Sequence, residues 1–375
     1  MQSERDDKQL GSLTTTPFPI PHSLFPDPHS PLPVLILFGP TASGKTALLE
    51  GLFGSPHSIK AEIISADSMQ VYRGMDIGTA KPSPEDRARI PHHLIDIRNP
   101  DEQFNAGEFV RLAEDACAAA AGRGALPVVS GGTGFYLKNL AQGLSEAPPS
   151  DVGIRRLLKQ ELAAKGVSSL LEELAMCDPV SAGRIHVNDE YRLLRALEVY
   201  RLSGRPLSSF ARAPVNDALA SDSPSDRPFR FFLVGLRRSR EELYRRINER
   251  TAAMFRAGLP DEVKRLFEAG YTPADPGLRA IGYREFFVPV NGVDDANKVG
   301  EEPGTWRLSE DLAGVEALVA QNSRRYAKRQ VTFFASLPGV KWVDCGKDDA
   351  AEINKILRIF TTNDTNPHEQ KNMLK

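Results

Sequence analysis

The octapeptide GPTASGKT, residues 39–46, is the feature that most constrains how this chain folds. Its spacing, GxxxxGK[ST], lies between an apolar run at 34–38 and a stretch of helical character at 45–53. In such a loop the backbone N–H groups bind phosphate at the start of a helix, the lysine reaches the same phosphates, and the last hydroxyl can ligate Mg²⁺. We therefore predict a phosphate-bearing ligand, although the loop does not specify a nucleoside. The predicted binding residues are Gly39, Pro40, Thr41, Ala42, Ser43, Gly44, Lys45 and Thr46.

The alternation of apolar runs with helical stretches predicts the fold class. Strand-like runs lie at 62–65, 93–97 and 126–130, and an alanine-rich helical stretch at 106–121 separates the last two. Because parallel strands need helical crossovers, this order is typical of an α/β protein with a parallel sheet. Together with the octapeptide, it predicts a P-loop NTPase-like core.

The length of 375 residues suits two domains, since a domain typically spans about 100–200 residues. From 151 to about 212 the chain has helical periods without a strand, and a strand-like run returns at 231. We therefore predict a helical insertion domain that leaves the α/β core and returns to it. The expected segments are a disordered Pro-rich tail (1–32), the first part of the core (33–146), the insertion (147–227), the second part of the core with a basic helix (228–346), a surface loop within it (291–307), and a C-terminal helix with a frayed tail (347–375).

The composition excludes several classes of protein. A hydrophobic fraction of 41% is too high for a wholly disordered chain. No apolar run approaches the roughly 18 residues of a membrane span. The three cysteines lie far apart without a CxxC pair, which excludes a disulfide scaffold and a zinc module and predicts a cytoplasmic protein. Because the formal net charge is only −2, any affinity for nucleic acid has to come from a local basic face.

Two more loops follow predicted strands and carry candidate functional residues. Asp67 comes just after the strand at 62–65, so its carboxylate is expected beside the phosphate loop. There it could hold Mg²⁺, position a water, act as a base on an acceptor, or cap the strand. Gly131 and Gly132 permit close approach of a ligand to which Thr133 offers a hydroxyl, although a tight turn would also explain them. The strand before them carries no acid, which weakens an ATPase interpretation.

Arginines on predicted helices suggest anionic partners. Arg250 lies on the apolar stripe of its helix, within about 20° of Leu243. Its guanidinium therefore needs either a phosphate or an internal carboxylate. Tyr191 is interleaved with arginines, as stacking on unpaired bases would require. Each basic face alone could be a solvated surface, but together they favour a polyanion. The basic residues are Arg192, Arg195, Arg279, Arg284, Arg324, Arg325, Lys328 and Arg329.

Taken in order, these segments resemble the tRNA dimethylallyltransferase family, also called tRNA isopentenyltransferases. The resemblance runs from about 34 to 343, and its most specific part is the stretch at 64–82, which phosphate binding alone does not require. The segments are GPTASGKT, ISADSMQVYRGMDIGTAKP, HHLIDI, VVSGGTGFY, RIHVNDEYRLLRALEVY, GYRE and RRYAKRQ. Because no Cys₂His₂ pattern follows 343, the chain resembles the bacterial type without a zinc finger.

The resemblance implies transfer of a dimethylallyl group from dimethylallyl diphosphate to N6 of the adenosine 3′-adjacent to the anticodon (position 37). The acceptors would be tRNAs that read UNN codons, and diphosphate would be released. The phosphate loop would then hold the diphosphate of the prenyl donor instead of ATP. By the same resemblance, Asp67 accepts the amine proton and Thr41 hydrogen-bonds the oxygen of the breaking C–O bond. Arg250 and Lys45 neutralise the leaving group, together with Mg²⁺ held by Thr46.

The resemblance also implies an RNA-binding surface for a tRNA anticodon stem–loop, with the helical insertion covering the RNA. Binding would weaken with salt, and we expect a monomer that does not engage a membrane. The residues implied in tRNA binding are Asp67, Ser68, Met69, Gln70, Thr133, Arg155, Tyr191, Arg192, Leu193, Leu194, Arg195, Arg279, Gly282, Tyr283, Arg284, Lys328, Arg329 and Gln330.

Three other functions compete with this interpretation. An adenylate isopentenyltransferase acting on free AMP, ADP or ATP would share the phosphate loop and Asp67, but would not need the insertion or the basic helix. A P-loop kinase or ATPase would need an acid after the strand at 126–130 and an adenine site, and neither is evident. A non-catalytic RNA-binding protein would not need Lys45, Thr46, Asp67 and Arg250 together.

Overall fold

Strands of a single parallel sheet form the core of the computed structural model, which describes residues 31–55, 58–210, 228–290, 306–345 and Ile356. The strands are β1 (Leu32–Phe38), β2 (Ala61–Ser65), β3 (His92–His93), β4 (Leu126–Gly131), β5 (Phe229–Arg237), β6 (Phe287–Pro289), β7 (Trp306–Leu308) and β8 (Lys341–Asp344). Six of them pair in the order β3–β2–β4–β1–β5–β8, all parallel. The other two, β6 and β7, form a separate antiparallel pair.

Helices alternate with these strands, and this confirms the predicted α/β core. They are α1 (Lys45–Phe53), α2 (Pro84–Arg89), α3 (Ala106–Gly122), α4 (Gly134–Gln142), α5 (Val152–Cys177), α6 (Pro179–Ala182), α7 (Glu190–Ser203), α8 (Arg240–Arg256), α9 (Leu259–Glu268) and α10 (Leu312–Phe334). Among the described helices, none combines the length and the apolar character needed to span a bilayer. The predictions for residues 1–30, 211–227, 291–305 and the C-terminal segment after Cys345 lie outside the described residues, apart from Ile356.

Local sequence explains most of the central elements. Residues 34–38 of β1 are fully buried, and so are all five residues of β2, as expected for strands covered on both faces. The predicted helix at 45–53 coincides with α1, and α3 begins where the Asn105 side chain accepts a hydrogen bond from the N–H of Glu108.

The strand predicted at 93–97 is wrong, because β3 ends at His93. Leu94 and Asp96 have positive φ angles of 62° and 57°, which no extended strand accommodates. The turn places the Asp96 carboxylate 2.6 Å from the buried Nζ of Lys81, and Arg87 donates a hydrogen bond to its other oxygen. A buried lysine therefore determines the backbone here, and apolar patterning does not reveal it.

The chain divides into two compact units, of which unit 2 spans Lys138–Ser225 and unit 1 comprises the rest. The sequence predicts 147–227 for the insertion, whereas unit 2 begins within α4. In unit 2, α5 contains a break at Gly166, where φ is 77°. Its two parts and α7 pack around a leucine core that includes Leu158, Leu170, Leu174 and Leu197.

A buried carboxylate shapes the loop that follows β2 in unit 1. Glu262 of α9 accepts hydrogen bonds from the N–H groups of Asp76, Ile77 and Gly78, at 3.0, 2.8 and 3.2 Å. It also accepts one from the Tyr283 hydroxyl at 2.6 Å. Glu262 is 2% exposed, so this buried side chain is the acceptor for three backbone N–H groups and for the buried hydroxyl of Tyr283.

Glu262→Ala should therefore lower the free energy of unfolding by about 3 kcal/mol, because the buried Tyr283 hydroxyl and three backbone N–H groups lose their acceptor at once. Urea denaturation of both proteins measures this difference. Glu268→Ala is the matched control on α9, since Glu268 is exposed and its nearest cation, Lys264, lies 3.9 Å away. Equal stabilities for the two variants would contradict the proposed role of Glu262.

Candidate active site

The carboxyl ends of three neighbouring strands bring the predicted functional loops together. β2, β4 and β1 are adjacent in the sheet, so the loops that follow them meet at one edge. A cavity of about 690 Å³ lies there, entirely within unit 1. Its lining includes residues 41–47, Asp67, Gln70, residues 130–132, Arg246, Arg250, Tyr326 and Gln330.

The phosphate loop adopts a backbone that its sequence permits. Gly44 has a φ of 102° at the start of α1, a conformation that favours glycine. A Cβ at Gly39 would lie 2.7 Å from the buried Oγ of Ser43, so glycine is needed there for space. The loop thus passes closely over the sheet and directs the start of α1 into the cavity.

Lysine and arginine side chains donate hydrogen bonds to the carbonyl groups of this loop. Lys45 Nζ donates to the carbonyls of Gly39 and Pro40, at 2.8 and 3.1 Å. From the other side of the loop, Arg246 Nε donates to the carbonyl of Ala42 at 2.9 Å, and Arg238 Nε to that of Ser43 at 2.7 Å. Lys45 and Arg246 also line the cavity. The loop therefore brings several positive charges close to the cavity.

Electrostatics of the cavity favour an anion. Burial, reinforced by the charge of Arg250, lowers the pKa of Lys45 to about 8, although Asp67 opposes the shift. Burial likewise lowers the pKa of Arg250. Among the described residues Arg250 has no ion pair, so the alternative of an internal salt bridge finds no support there. A dianionic or more highly charged ligand would stabilise both cations.

The loop after β2 orients Asp67 by its own hydrogen bonds. Asp67 Oδ1 accepts from the N–H of Met69 at 2.9 Å, and the N–H of Ser68 donates to Thr133 Oγ1 at 3.0 Å. Gln70 is held on both ends, because Ser65 Oγ donates to its Oε1 and its Nε2 lies 3.3 Å from the carbonyls of residues 79 and 80. Asp67 is thus fixed at the same cavity as the cations.

Helix α10 closes one side of the site. Gln330 Oε1 accepts a hydrogen bond from the N–H of Thr41 at 2.9 Å, and its Nε2 donates to the carbonyl of Gly132 at 2.8 Å. The hydroxyl of Tyr326, one turn earlier, lies near the side chains of Thr133 and Gln330, which favour its ionised form. Burial, with a further contribution from Asp67, raises the pKa of Tyr326 to about 12, so this hydroxyl keeps its proton near neutral pH.

The structure distributes the residues predicted for tRNA binding over several environments. Six of them are exposed, namely Tyr191, Arg192, Arg279, Arg284, Lys328 and Arg329. In unit 2, Arg155 and Arg195 are half-buried and contact the fully buried carboxylate of Glu198, at 3.4 and 2.9 Å. The Arg155 guanidinium also lies over the Tyr191 ring, 4.7 Å from its centroid. Arg195 is therefore held by its own unit, whereas Tyr191 presents a supported aromatic surface.

Other members of that set are buried. Leu193 and Leu194 are 1% and 5% exposed in the core of unit 2, so their side chains are not available to RNA. Tyr283 is fully buried and donates to Glu262, and the backbone of Gly282 is also buried. Gln330 belongs to the cavity wall. Each of the motifs that contain these residues includes buried side chains as well as exposed ones. The spacing of the motif alone does not show which residues are buried.

Sequence reasoning missed three residues of the site. Arg246 lies one helical turn before Arg250, and this i, i+4 spacing could have placed both on one face of α8. Tyr326 stands four positions before Gln330 on α10 in the same way. Arg238 follows the end of β5, and no local pattern links it to the phosphate loop 195 positions earlier.

Hard oxygen donors are the groups available to a metal ion. No cluster of three or more His, Cys, Asp or Glu side chains that could hold a metal occurs among the described residues. The Thr46 hydroxyl and the Asp67 carboxylate line the cavity. Oxygen ligands suit Mg²⁺, which is commonly held by one or two protein oxygens and the phosphates of a ligand. The donor set therefore fits Mg²⁺ bound together with a phosphorylated ligand.

The fold and the site together define an α/β protein of the P-loop type, in which the loop and the carboxylate of Asp67 share one cavity. Residues 70–337 match the family model described as IPP transferase. The tRNA dimethylallyltransferase of Geobacter sulfurreducens is 41% identical over 83% of this chain and 91% of its own length. That of Geobacter metallireducens is 44% identical over 84% and 94%. The chain therefore belongs to the IPP transferase family.

Solved structures agree with this assignment. The tRNA isopentenylpyrophosphate transferase of Bacillus halodurans is 34% identical, with a TM-score of 0.56 over 88% of this chain and 95% of its own. A eukaryotic dimethylallyltransferase, described as acting on tRNA, has a TM-score of 0.68 over 89% of this chain and 79% of its own. At 24% identity, this second likeness concerns the fold.

Affinity for inorganic diphosphate should depend on the protonation of Lys45. Below a pKa of about 8 the ammonium is already present, so binding takes up no proton there. Above it, binding must first protonate the amine, and the affinity should fall by up to about tenfold per pH unit. Calorimetric titration between about pH 6.5 and 9.5, a range that brackets the pKa of Lys45, measures this.

Lys45→Met provides the control, because ionisation of the ligand affects both proteins alike. The dissociation constant of Lys45→Met divided by that of the wild type should be constant below about pH 8 and should decrease above it. A ratio that does not change with pH would show that the Lys45 ammonium does not contact the bound diphosphate.

Proposed function

We propose that this protein transfers a dimethylallyl group from dimethylallyl diphosphate to N6 of the adenosine at position 37 of tRNAs that read UNN codons. The observation that carries the proposal is the common cavity of the phosphate loop and Asp67. One wall of the cavity is suited to a diphosphate, and a carboxylate faces it as an acceptor of protons. Relatives that share about two fifths of their residues with the chain are named tRNA dimethylallyltransferases.

In the proposed reaction the N6–C1 bond forms as the C1–O bond of the prenyl donor breaks. Diphosphate leaves with the electron pair of that bond, and Lys45, Arg246 and Arg250 stabilise the charge that develops on it. The Thr41 hydroxyl hydrogen-bonds the departing oxygen. Asp67 accepts the proton of the amine, since the exocyclic amine of adenine is a poor nucleophile until it loses a proton.

Mg²⁺ would add a further positive charge at the leaving group. Thr46 would hold it through its hydroxyl, with the remaining ligands coming from the diphosphate and water. The role of this chain is to place Thr46 at the first turn of α1, next to the cations that already line the cavity.

The RNA would be bound by the exposed basic and aromatic side chains. Tyr191 is 71% exposed and is supported from behind by Arg155, which suits stacking on an unpaired base. Arg279, Arg284, Lys328 and Arg329 would contact phosphates of the anticodon stem–loop, so tRNA binding should weaken as salt is added. We place this reaction in the cytoplasm, with the protein as a monomer, and the free thiols of Cys117 and Cys177 agree with a reducing compartment.

Single-turnover transfer from radiolabelled dimethylallyl diphosphate, with Mg²⁺, tests the proposal. Three acceptors are compared: an anticodon stem–loop with adenosine at position 37, the same loop with guanosine there, and free AMP. Label should appear on the first acceptor alone. Label on AMP would instead establish an adenylate isopentenyltransferase, and ATP hydrolysis without transfer would refute both.

Asp67→Asn should lower the rate of transfer by about 10²–10⁴-fold, because the amide cannot accept the proton. Diphosphate affinity should change little, and the side-chain oxygen can still accept from the N–H of Met69. Single-turnover rates and calorimetry measure the two effects separately. An unchanged rate, with the fold intact, would eliminate Asp67 as the base.

A further inference from the structure

Gln330 is the one described side chain that hydrogen-bonds both the phosphate loop and the loop after β4. It is 5% exposed, and the oxygen and the nitrogen of its side-chain amide each form a hydrogen bond with a different loop. The oxygen accepts from the N–H of Thr41 at 2.9 Å, and the nitrogen donates to the carbonyl of Gly132 at 2.8 Å. A Cβ at Gly132 would lie 2.6 Å from that nitrogen, so the glycine permits the close approach.

These bonds continue from Gln330 towards Asp67. Gly132, whose carbonyl accepts from Gln330, is followed by Thr133, and the N–H of Thr133 donates to the carbonyl of Ala66 at 3.1 Å. Thr133 Oγ1 in turn accepts from the N–H of Ser68, the residue after Asp67. The hydrogen bonds of Gln330 and those of Thr133, the residue after Gly132, therefore connect Thr41, on the side of the leaving group, to the loop of the proposed base.

We propose that Gln330 is a positioning residue, which sets the placement of Thr41 relative to Asp67 and does not bind RNA. The inference rests on the proposed function, because it concerns the two ends of the same transfer. Gln330 fixes the backbone of Thr41 through its N–H, so the Thr41 hydroxyl keeps one direction. Through Gly132, whose neighbour Thr133 is hydrogen-bonded to Ser68 and Ala66, it also fixes the loop that holds Asp67.

The exposed positions of α10 have a different character. Lys328 and Arg329 immediately precede Gln330 in sequence, and both are exposed. A helix advances about 100° per residue, so Lys328 points some 160° away from Gln330. Lys328 therefore serves as a matched control: it is on the same helix turn, but it is available to RNA and has no contact with the cavity.

Gln330→Met keeps the length of the side chain and removes both hydrogen bonds. We expect kcat to fall by about 10–100-fold, since small displacements of reacting groups cost rates of that order. KM for the anticodon stem–loop should stay within about twofold, as expected when an interaction used for alignment and not for binding is lost. Lys328→Met should show the opposite split, with kcat preserved and KM raised more strongly at higher salt.

Gln330→Glu gives a readout that a merely structural residue would not produce. A neutral carboxyl group can still donate to the carbonyl of Gly132, whereas a carboxylate cannot and repels it. The activity of this variant, divided by that of the wild type at each pH, should therefore be highest at low pH and fall as the new group ionises. Gln330→Met should give a ratio that does not change with pH.

The outcomes separate the possibilities. A raised KM with unchanged kcat in Gln330→Met would show that Gln330 contacts RNA and would overturn the inference. A pH-independent ratio for Gln330→Glu would overturn it as well, even if Gln330→Met fails to fold. Wild-type protein that binds diphosphate but labels no stem–loop would instead refute the proposed function, and the positioning role with it.

Discussion

The site depends on hydrogen bonds between cationic side chains and the carbonyl groups of the phosphate loop. The side chains of Lys45, Arg238 and Arg246 donate hydrogen bonds to backbone carbonyls within residues 39–43. Because these carbonyls are hydrogen-bonded to protein side chains, the N–H groups at the start of α1 can bind an anion. The same bonds hold several positive charges at one cavity, and burial of those charges makes Lys45 a weaker base. An anionic ligand therefore relieves an electrostatic cost that the fold itself carries.

The local sequence pattern was sufficient to predict the central strands of the sheet and the phosphate loop. The spacing of the octapeptide and the apolar runs predicts β1, α1, β2 and β4, because each of these is specified by consecutive residues. Asp67 is predictable for the same reason, since it directly follows a buried strand whose carboxyl end must face the ligand edge. The strand predicted at 93–97 shows the limit: Asp96 turns towards a buried lysine, and such a pairing leaves no trace in hydrophobic periodicity.

Most of what the sequence did not reveal consists of contacts between distant parts of the chain. Gln330 lies 289 positions from Thr41, and Arg246 lies 204 positions from Ala42. Family resemblance assigned Gln330 to the RNA surface together with its neighbours Lys328 and Arg329. The structure assigns it to the cavity, since a helix presents adjacent residues in different directions. A resemblance assigns one role to all residues of a motif. The burial of each side chain then shows which of them are exposed enough to contact RNA.

These separations also explain how the chain accommodates unit 2. β5 pairs in parallel with β1 over seven positions, Leu32–Phe38, so the chain re-enters the sheet beside the strand that leads into the phosphate loop. Extending the connection between two strands costs only about 0.6 kcal/mol for each doubling of its length, so a folded insertion is tolerated there. The arginines that follow β5 then reach the phosphate loop, and α10 supplies Gln330 later still. Because the first and last parts of unit 1 complete one cavity, affinity for diphosphate reports on the folding of both.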